Sequence, residues 1–567
     1  MKETADKVYR NAKVYSVALD GTETHAEALV IKDGKFAYVG DETGATEWIG
    51  NTTEVIDCKG KSVIPGLGDA HLHHAQAVLK YGTCSFSHIV PNPETDTPDG
   101  VVKLIQEKLK TYAEEHKNAP VIRGFGWDRM WFAGVLQGIV RPFTRHDVDA
   151  VIPDKPVVLT SFCGHLVLLN TKALEAAGVT KDTDDHHGLI VKEADGTPSG
   201  YISEPAIFRP IIYSIPNYDF TPEEYHDCLK KAFNDLNASG YTLLCDCQQV
   251  ESSYAVLSEM ARNGEFTARV SGVHNVNDAT RESDLEKAIA NRTKFDVDEL
   301  FMVDTVKYFA DGSLAMIEPY TERAPDKEPG TREPLLWDEE HLKESMALAN
   351  KEGFNIHTHA MGSYAIRRVI DCYENAQQLH PNPKIRNIIA HCTFIEPEDR
   401  VRMGKSHIIA SNQPGWFSDN PTEEPVMVAW WGEDVVRQTY PSKSLISNGV
   451  VCAYGSDFPV NAAYGLAGIQ VAMTRRHVKL DPTYELFKDL PAALPNECVS
   501  LKEALQAHTI HVAYQAHLEK VTGSIEVGKS AELVVLDSNI ETTPADQIQD
   551  IKVLETVFKG KTVFKNT

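Results

Sequence analysis

The chain has 567 residues, 42% of them hydrophobic and 24% charged, and 81 acidic against 56 basic side chains give it a formal net charge of −25. That composition belongs to a folded globular protein too long for one core, and it excludes a disordered or low-complexity chain. The acidic excess disfavours nucleic acid and anionic membrane surfaces as partners, and neither an apolar leader nor a run of the ~18–20 apolar residues of a membrane span is present, so a cytoplasmic protein is expected.

In chain order, the first 64 residues read as short β runs broken by turns: "KVYRNAKVYSV", "EALVIKDGKFAYVG" with a hairpin turn at Asp33-Gly34, and "TEVIDCKGKSVIPG". The last 48 do the same in "GSIEVGKSAELVVLDSN" and "DIKVLETVFKGKTVFKN", so residues 1–64 and 520–567 are expected to form one composite β-sandwich. Between them, "SVIPGLGDAHLHH" and seven further apolar runs recur: "YTLLCD", "ARVSGVHN", "VDTVKYFADG", "GFNIHTHA", "NIIAHC", "HIIASNQP" and "VVCAYGSD". Several are followed by amphipathic helical segments, and eight βα units predict an α/β fold of the (β/α)8 barrel type.

Polar side chains sit near the C-terminal ends of these runs: His71, His73, Lys307, His359, His391 and Asp457. Barrel enzymes place their chemistry at that end. Histidines at i and i+2 on a strand face one side, so His71 and His73 can serve one ion, whereas His74 points away and His357 lies one layer below His359. Spacing agrees with one unit between His359 and His391 and two between His391 and Asp457. The 234 residues from His73 to Lys307 far exceed the ~95 that three units need. An insertion after the first barrel strand is therefore expected over 85–235, leaving 65–84 and 236–519 for the barrel and making 85–235 a capping or substrate subdomain. Ten dilute cysteines, Cys245 and Cys247 included, read as reduced core thiols. Trp127, Asp128, Trp416 and Phe417 are candidates for a substrate pocket wall, and Arg129, Arg475 and Arg476 for pairing with a substrate carboxylate. Asp69 has no role legible in the sequence.

The order "HLHH", "VKYFADGSL", "HTHAMGSYAI", "IAHCTFIEPED", "SNQP", "YGSDFPV" and "GSIEVGKSAELVVLD" resembles the amidohydrolase superfamily, in its YtcJ-like branch of N-substituted formamide deformylase-type hydrolases. "RGFGWDRMWF", "CGHLVLLNTKAL" and "DGTPSGYISEPA" inside the insertion are similar to markers of that branch, Glu204 among them, with no role derivable for it. The resemblance implies one or two divalent metal ions, zinc being the expected one. His71, His73, His359 and His391 would be ligands, Lys307 an N6-carboxylated lysine that bridges two ions, and Asp457 both ligand and catalytic carboxylate. A free ammonium cannot bind metal, so only a carbamate would make Lys307 a ligand.

The activity this implies is hydrolysis of an amide-type, non-peptide C–N bond in a small molecule. Water activated by metal would attack, Asp457 would shuttle its proton, and His165 would contact the substrate or its oxyanion. Two other classes share these features: a metal-dependent deaminase, decarboxylase or isomerase on the same barrel, and a non-catalytic metal-binding regulator. A homodimer is the expected assembly on symmetry grounds.

Overall fold

A computed structural model describes residues 4–186, 188–248, 250–312, 335–419, 428 and 432–566. Eight parallel strands form its central sheet in strict chain order: Leu67–Leu72, Tyr241–Asp246, Arg269–Asn275, Phe301–Phe309, Asn355–Ala360, Asn387–His391, Ile409–Asn412 and Cys452–Tyr454. Each buries nearly every residue, which is why they read as continuous apolar runs rather than alternating ones. Helices such as Glu339–Lys351 and Ser363–Leu379 follow the fourth and fifth strands. The sheet is a (β/α)8 barrel.

The seam between the first and eighth strands is closed by the segment just past the eighth. Asp457 N donates to His71 O at 2.7 Å and His73 N to Phe458 O at 2.6 Å. Gly455 makes this approach possible, since a Cβ there would lie 2.4 Å from His71 N and 2.8 Å from Asp69 Oδ1.

Both termini contribute to one six-stranded sheet, in which Ser62–Pro65 pairs on one side with Lys13–Val17 and on the other with Leu533–Leu536. A four-stranded sheet from residues 7–57 faces it, and Tyr9, Leu29, Ile31 and Phe36 share a core with Val63, Leu533, Val535 and Val557. The Asp33-Gly34 turn joins two antiparallel strands with φ of 50° and 73°, as a type I′ turn requires.

The chain divides into two compact units, Met1–His74 with Lys230–Thr567, and Ala75–Leu229. The second contains a six-stranded mixed sheet in the order Ile190–Lys192, Pro198–Ser203, Leu166–Leu169, Val157–Ser161, Ile122–Trp127 and Cys84–Ser85. Its core holds Val158, Val167, Leu169, Leu174, Ile202 and Phe208. The 18-residue helix Pro98–Glu115 belongs to the same unit, capped by Thr97, whose hydroxyl accepts from Gly100 N.

Candidate metal centre

The first barrel strand runs straight into the site: His71 is its penultimate residue, and His73 follows its end. His73 Nε2 lies 2.8 Å and His71 Nε2 3.7 Å from Asp457 Oδ1, and all three side chains are buried. The His391 ring centre is 4.9 Å from that of His71 and 4.5 Å from that of His359. Four imidazoles and a carboxylate from strands one, five, six and eight thus converge at one end of the barrel.

Two members of this group occupy unusual backbone. Asp457 has φ of 61° and His391 of 75°, with Cys392 at 46°. Such left-handed conformations cost non-glycine residues of order 1–3 kcal/mol and persist where surrounding structure enforces them. Here they turn both side chains toward the cluster just as their strands end.

Hydrogen bonds assign the ring nitrogens. His391 Nδ1 donates to Gln413 Oε1 at 2.7 Å, so an ion would take Nε2. His359 Nε2 meets Gly312 O at 3.2 Å and Asp311 Oδ1 at 3.4 Å, so an ion would take Nδ1. Asp311 is itself held by Met361 N and Gly362 N. Burial, and then the nearby Lys307 charge, push His71 well below the usual imidazole range, which keeps it the neutral ligand a metal needs. Burial works to raise the Asp457 carboxyl, but His73 beside it holds it below the usual carboxylate range. The donor set fits a divalent cation: buried imidazoles, which a metal takes in the neutral form, and an ionised carboxylate are ligands of the type zinc accepts.

Lys307 is fully buried on the fourth strand, in register with His357 and two residues below the level of His359. As a free ammonium it would lower the pKa of His71, His357 and Asp457 alike, an effect that an anionic form of the side chain would reverse. His357 lies under His71, Nε2 to Nδ1 at 3.0 Å, and His74 packs its ring on Phe233 at 4.4 Å.

The structure gives Asp69 a place. Its Oδ1 accepts from His71 N at 3.1 Å and Ser456 N at 2.9 Å, and its Oδ2 from Ser456 Oγ at 2.5 Å. It therefore fastens the strand carrying two histidines to the loop carrying Asp457. Burial pushes its carboxyl up to about 7 against the pull of those hydrogen bonds. Asp69→Ala would strand three buried donors, and urea unfolding is expected to show a loss of about 3 kcal/mol or more. An unchanged midpoint would remove Asp69 from the seam.

Trp416 lies at this cluster, its ring centre 5.3 Å from that of His391. Phe417 is 1% exposed and packs on Tyr440 and Tyr454 instead of lining an open wall. Trp127 is fully buried within the Ala75–Leu229 unit, packed against Phe143 and Tyr201 with its indole N–H on Leu159 O at 3.0 Å; it is a core residue there. Asp128 caps the following turn by accepting from Met130 N, and burial pushes its carboxyl up to about 6. Arg475 is spent on the carbonyls of Ala493, Tyr440 and Thr439, so it is a structural cation and not a substrate clamp, while Arg476 is exposed. Arg129 is half-buried in a short turn of the inserted unit. His165 belongs to that unit too: its Nδ1 lies 2.9 Å from Glu204 Oε2, and Glu204 holds φ of 65° at the start of its helix. All ten cysteines are free thiols.

Sequence reasoning missed Asp311, Gln413 and Cys247 as neighbours of the ligands. Gln413 and Asp311 both stood in quoted motifs, "SNQP" and "VKYFADGSL", but nothing in their spacing marks a residue that touches a ligand rather than an ion.

A parallel eight-stranded barrel thus gathers imidazoles and a carboxylate at its strand ends, the end at which barrel enzymes react. The chain belongs to the amidohydrolase family, whose model matches residues 54–564. It is 26% identical to "Putative amidohydrolase YtcJ" of Bacillus subtilis (strain 168) over 99% of each chain, and 25% identical to the N-substituted formamide deformylase of Arthrobacter pascens over 100% of each. Among solved structures, it is similar to an uncharacterized metal-dependent hydrolase from Pyrococcus horikoshii OT3, with a TM-score of 0.71, 23% identity and coverage of 95% of this chain and 99% of that one. The protein is accordingly an enzyme of the class that hydrolyses carbon–nitrogen bonds other than peptide bonds. No helix among the described residues is long and apolar enough to cross a membrane.

Proposed function

We propose that the protein cleaves the amide-type C–N bond of a small molecule carrying apolar bulk, with His71, His73, His359, His391 and Asp457 holding one or two divalent ions, zinc first among them. The observation that carries this reading is the buried contact of Asp457 with His73 at 2.8 Å and His71 at 3.7 Å, at the end of the barrel where such enzymes react. The deformylase relative, similar along its whole length, supports an amide-type substrate.

A bound divalent cation supplies Lewis acidity, which acidifies water and polarises a carbonyl. Asp457 does the proton work: its ionised carboxylate accepts the proton of the attacking water and delivers it to the departing nitrogen, so the amine leaves neutral. In the ion-free site His73 Nε2 lies against that carboxylate and holds it below the usual range, so Asp457 is already ionised when an ion would be taken up. Trp416, stacked near His391, offers an apolar face to the substrate's bulk. Lys307 is proposed as a carbamate, because a fully buried ammonium is costly, whereas a carbamate is an anionic oxygen ligand. The negative surface, the cytoplasmic setting and a homodimer complete the proposal.

The zinc-reconstituted protein should be assayed against N-substituted formamides and N-substituted amides, with aminoheterocycles and carboxylic acids as separate arms, and with amine, carboxylate, ammonia and carbon dioxide all measured. Equimolar amine and carboxylate is the expected result. Ammonia from the aminoheterocycles alone would make it a deaminase, carbon dioxide from the carboxylic acids alone a decarboxylase, and absence of any product from the N-substituted amides would overturn hydrolysis of this substrate class.

A further inference from the structure

Behind His71, away from Asp457, lies a second row of buried polar atoms. His71 Nδ1 is 3.0 Å from His357 Nε2; Cys247 Sγ lies 3.7 Å from His357 Nδ1 and 3.8 Å from its Nε2, and the same sulfur is 3.3 Å from Cys245 O and 3.9 Å from Ala70 O. His71 and His357 are each 1% exposed and Cys247 is fully buried. The three side chains come from the first strand, the end of the second and the fifth, so the barrel itself brings them together.

We infer that this row is a directional hydrogen-bond relay in which His357 is a positioning residue for His71 and Cys247 holds His357. The inference rests on His71 being a metal ligand, as proposed above. To present the Nε2 lone pair to an ion, a neutral His71 must carry its proton on Nδ1. That N–H needs a buried acceptor, and His357 Nε2 is the atom within reach. His357 must then keep its own proton on Nδ1, where the acceptor is the Cys247 sulfur. The thiol in turn has two backbone carbonyls to donate to, Cys245 O being the nearer, so the row ends on backbone. Run in reverse, the same row would put the proton on His71 Nε2, facing Asp457, and bar an ion from it.

Ligating histidines usually give their second N–H to a carboxylate, a backbone carbonyl or water. An imidazole backed by a thiol does the same orienting work without adding negative charge beneath the site. Gln413 serves His391 in the same uncharged way.

The test compares His357→Gln, whose amide oxygen can reach the place of Nε2, with His357→Leu, which fills the space without an acceptor. Zinc affinity is read by competition with a chromophoric chelator, and the thermal midpoint is read on metal-stripped protein. His357→Leu is expected to weaken zinc binding about 10–100-fold, with a metal-stripped midpoint no lower than wild type, whereas His357→Gln stays close to wild-type affinity. Should the leucine variant fail to fold, His357→Asn, whose oxygen stops short of His71, supplies the same contrast with glutamine. Wild-type affinity without an acceptor, or glutamine as weak as leucine, overturns the relay. Zinc affinity is read without turnover, so the ranking can hold even if no amide is hydrolysed; a wild type that binds no zinc overturns both readings.

Discussion

Asp457→Asn is expected to lower kcat by roughly 10²–10⁴-fold, the usual contribution of a positioned general acid–base, while the protein keeps most of its zinc. Asparagine has nearly the same shape and still turns an oxygen toward His73 Nε2, now 2.8 Å from Asp457 Oδ1. What it lacks is a site for the proton of the attacking water. Steady-state kinetics alongside zinc content separate the two roles: a fall in turnover with metal retained assigns the proton transfer to Asp457. Wild-type turnover in the asparagine variant would end that assignment.

His71→Ala is expected to fail differently, losing metal and activity together. The imidazole is buried at the centre of the cluster, beside Asp457, His73, His357 and His391 at once. Its loss should exceed the roughly 10–100-fold drop in affinity that removal of an outer partner causes. Excess zinc should not restore wild-type turnover. Zinc content equal to wild type in this variant would take His71 out of the ligand set.

These two variants and Asp69→Ala probe one seam from three sides. Asp69 holds the backbone of His71 and Ser456, and Asp457 N donates to His71 O, so ligand geometry and barrel closure depend on the same few bonds. A stability loss at Asp69 with zinc affinity also weakened would fit that coupling.

The barrel was legible because buried parallel strands are continuous apolar runs, and because the polar residue ending each run marks the same face. Tyr241–Asp246 coincides with its run to the residue, and His391 and Asp457 sit where the apolar pattern breaks. The terminal sheets showed through their Gly and Asp turns. The 234-residue gap revealed that chain was inserted, but an insertion is detected by length alone, which says nothing of its sheet. So Trp127, in the glycine-broken "RGFGWDRM", is a pocket-wall candidate by sequence, whereas Ile122–Trp127 is a core strand that tolerates those glycines: at Gly124 a Cβ would press on Leu159 and Phe86. Phe417 and Arg475 differ for a related reason: residue type shows what a side chain can contact, not whether packing or backbone carbonyls already occupy it. Gln413 and Asp311 act on ligands tens of positions away, and Asp69 joins its neighbour His71 to Ser456, 387 positions further on; no local period encodes those contacts.

The most direct test of the metal centre is a crystal structure of the zinc-loaded protein with anomalous scattering recorded at the zinc edge. The account predicts a peak about 2.0–2.2 Å from His71 Nε2, His73 Nε2 or Asp457, and from His391 Nε2 or His359 Nδ1 where a second ion is held, with the Lys307 side chain extended by a carbamate. A zinc peak elsewhere in the chain, or none at this cluster in protein that is folded and loaded, would contradict it.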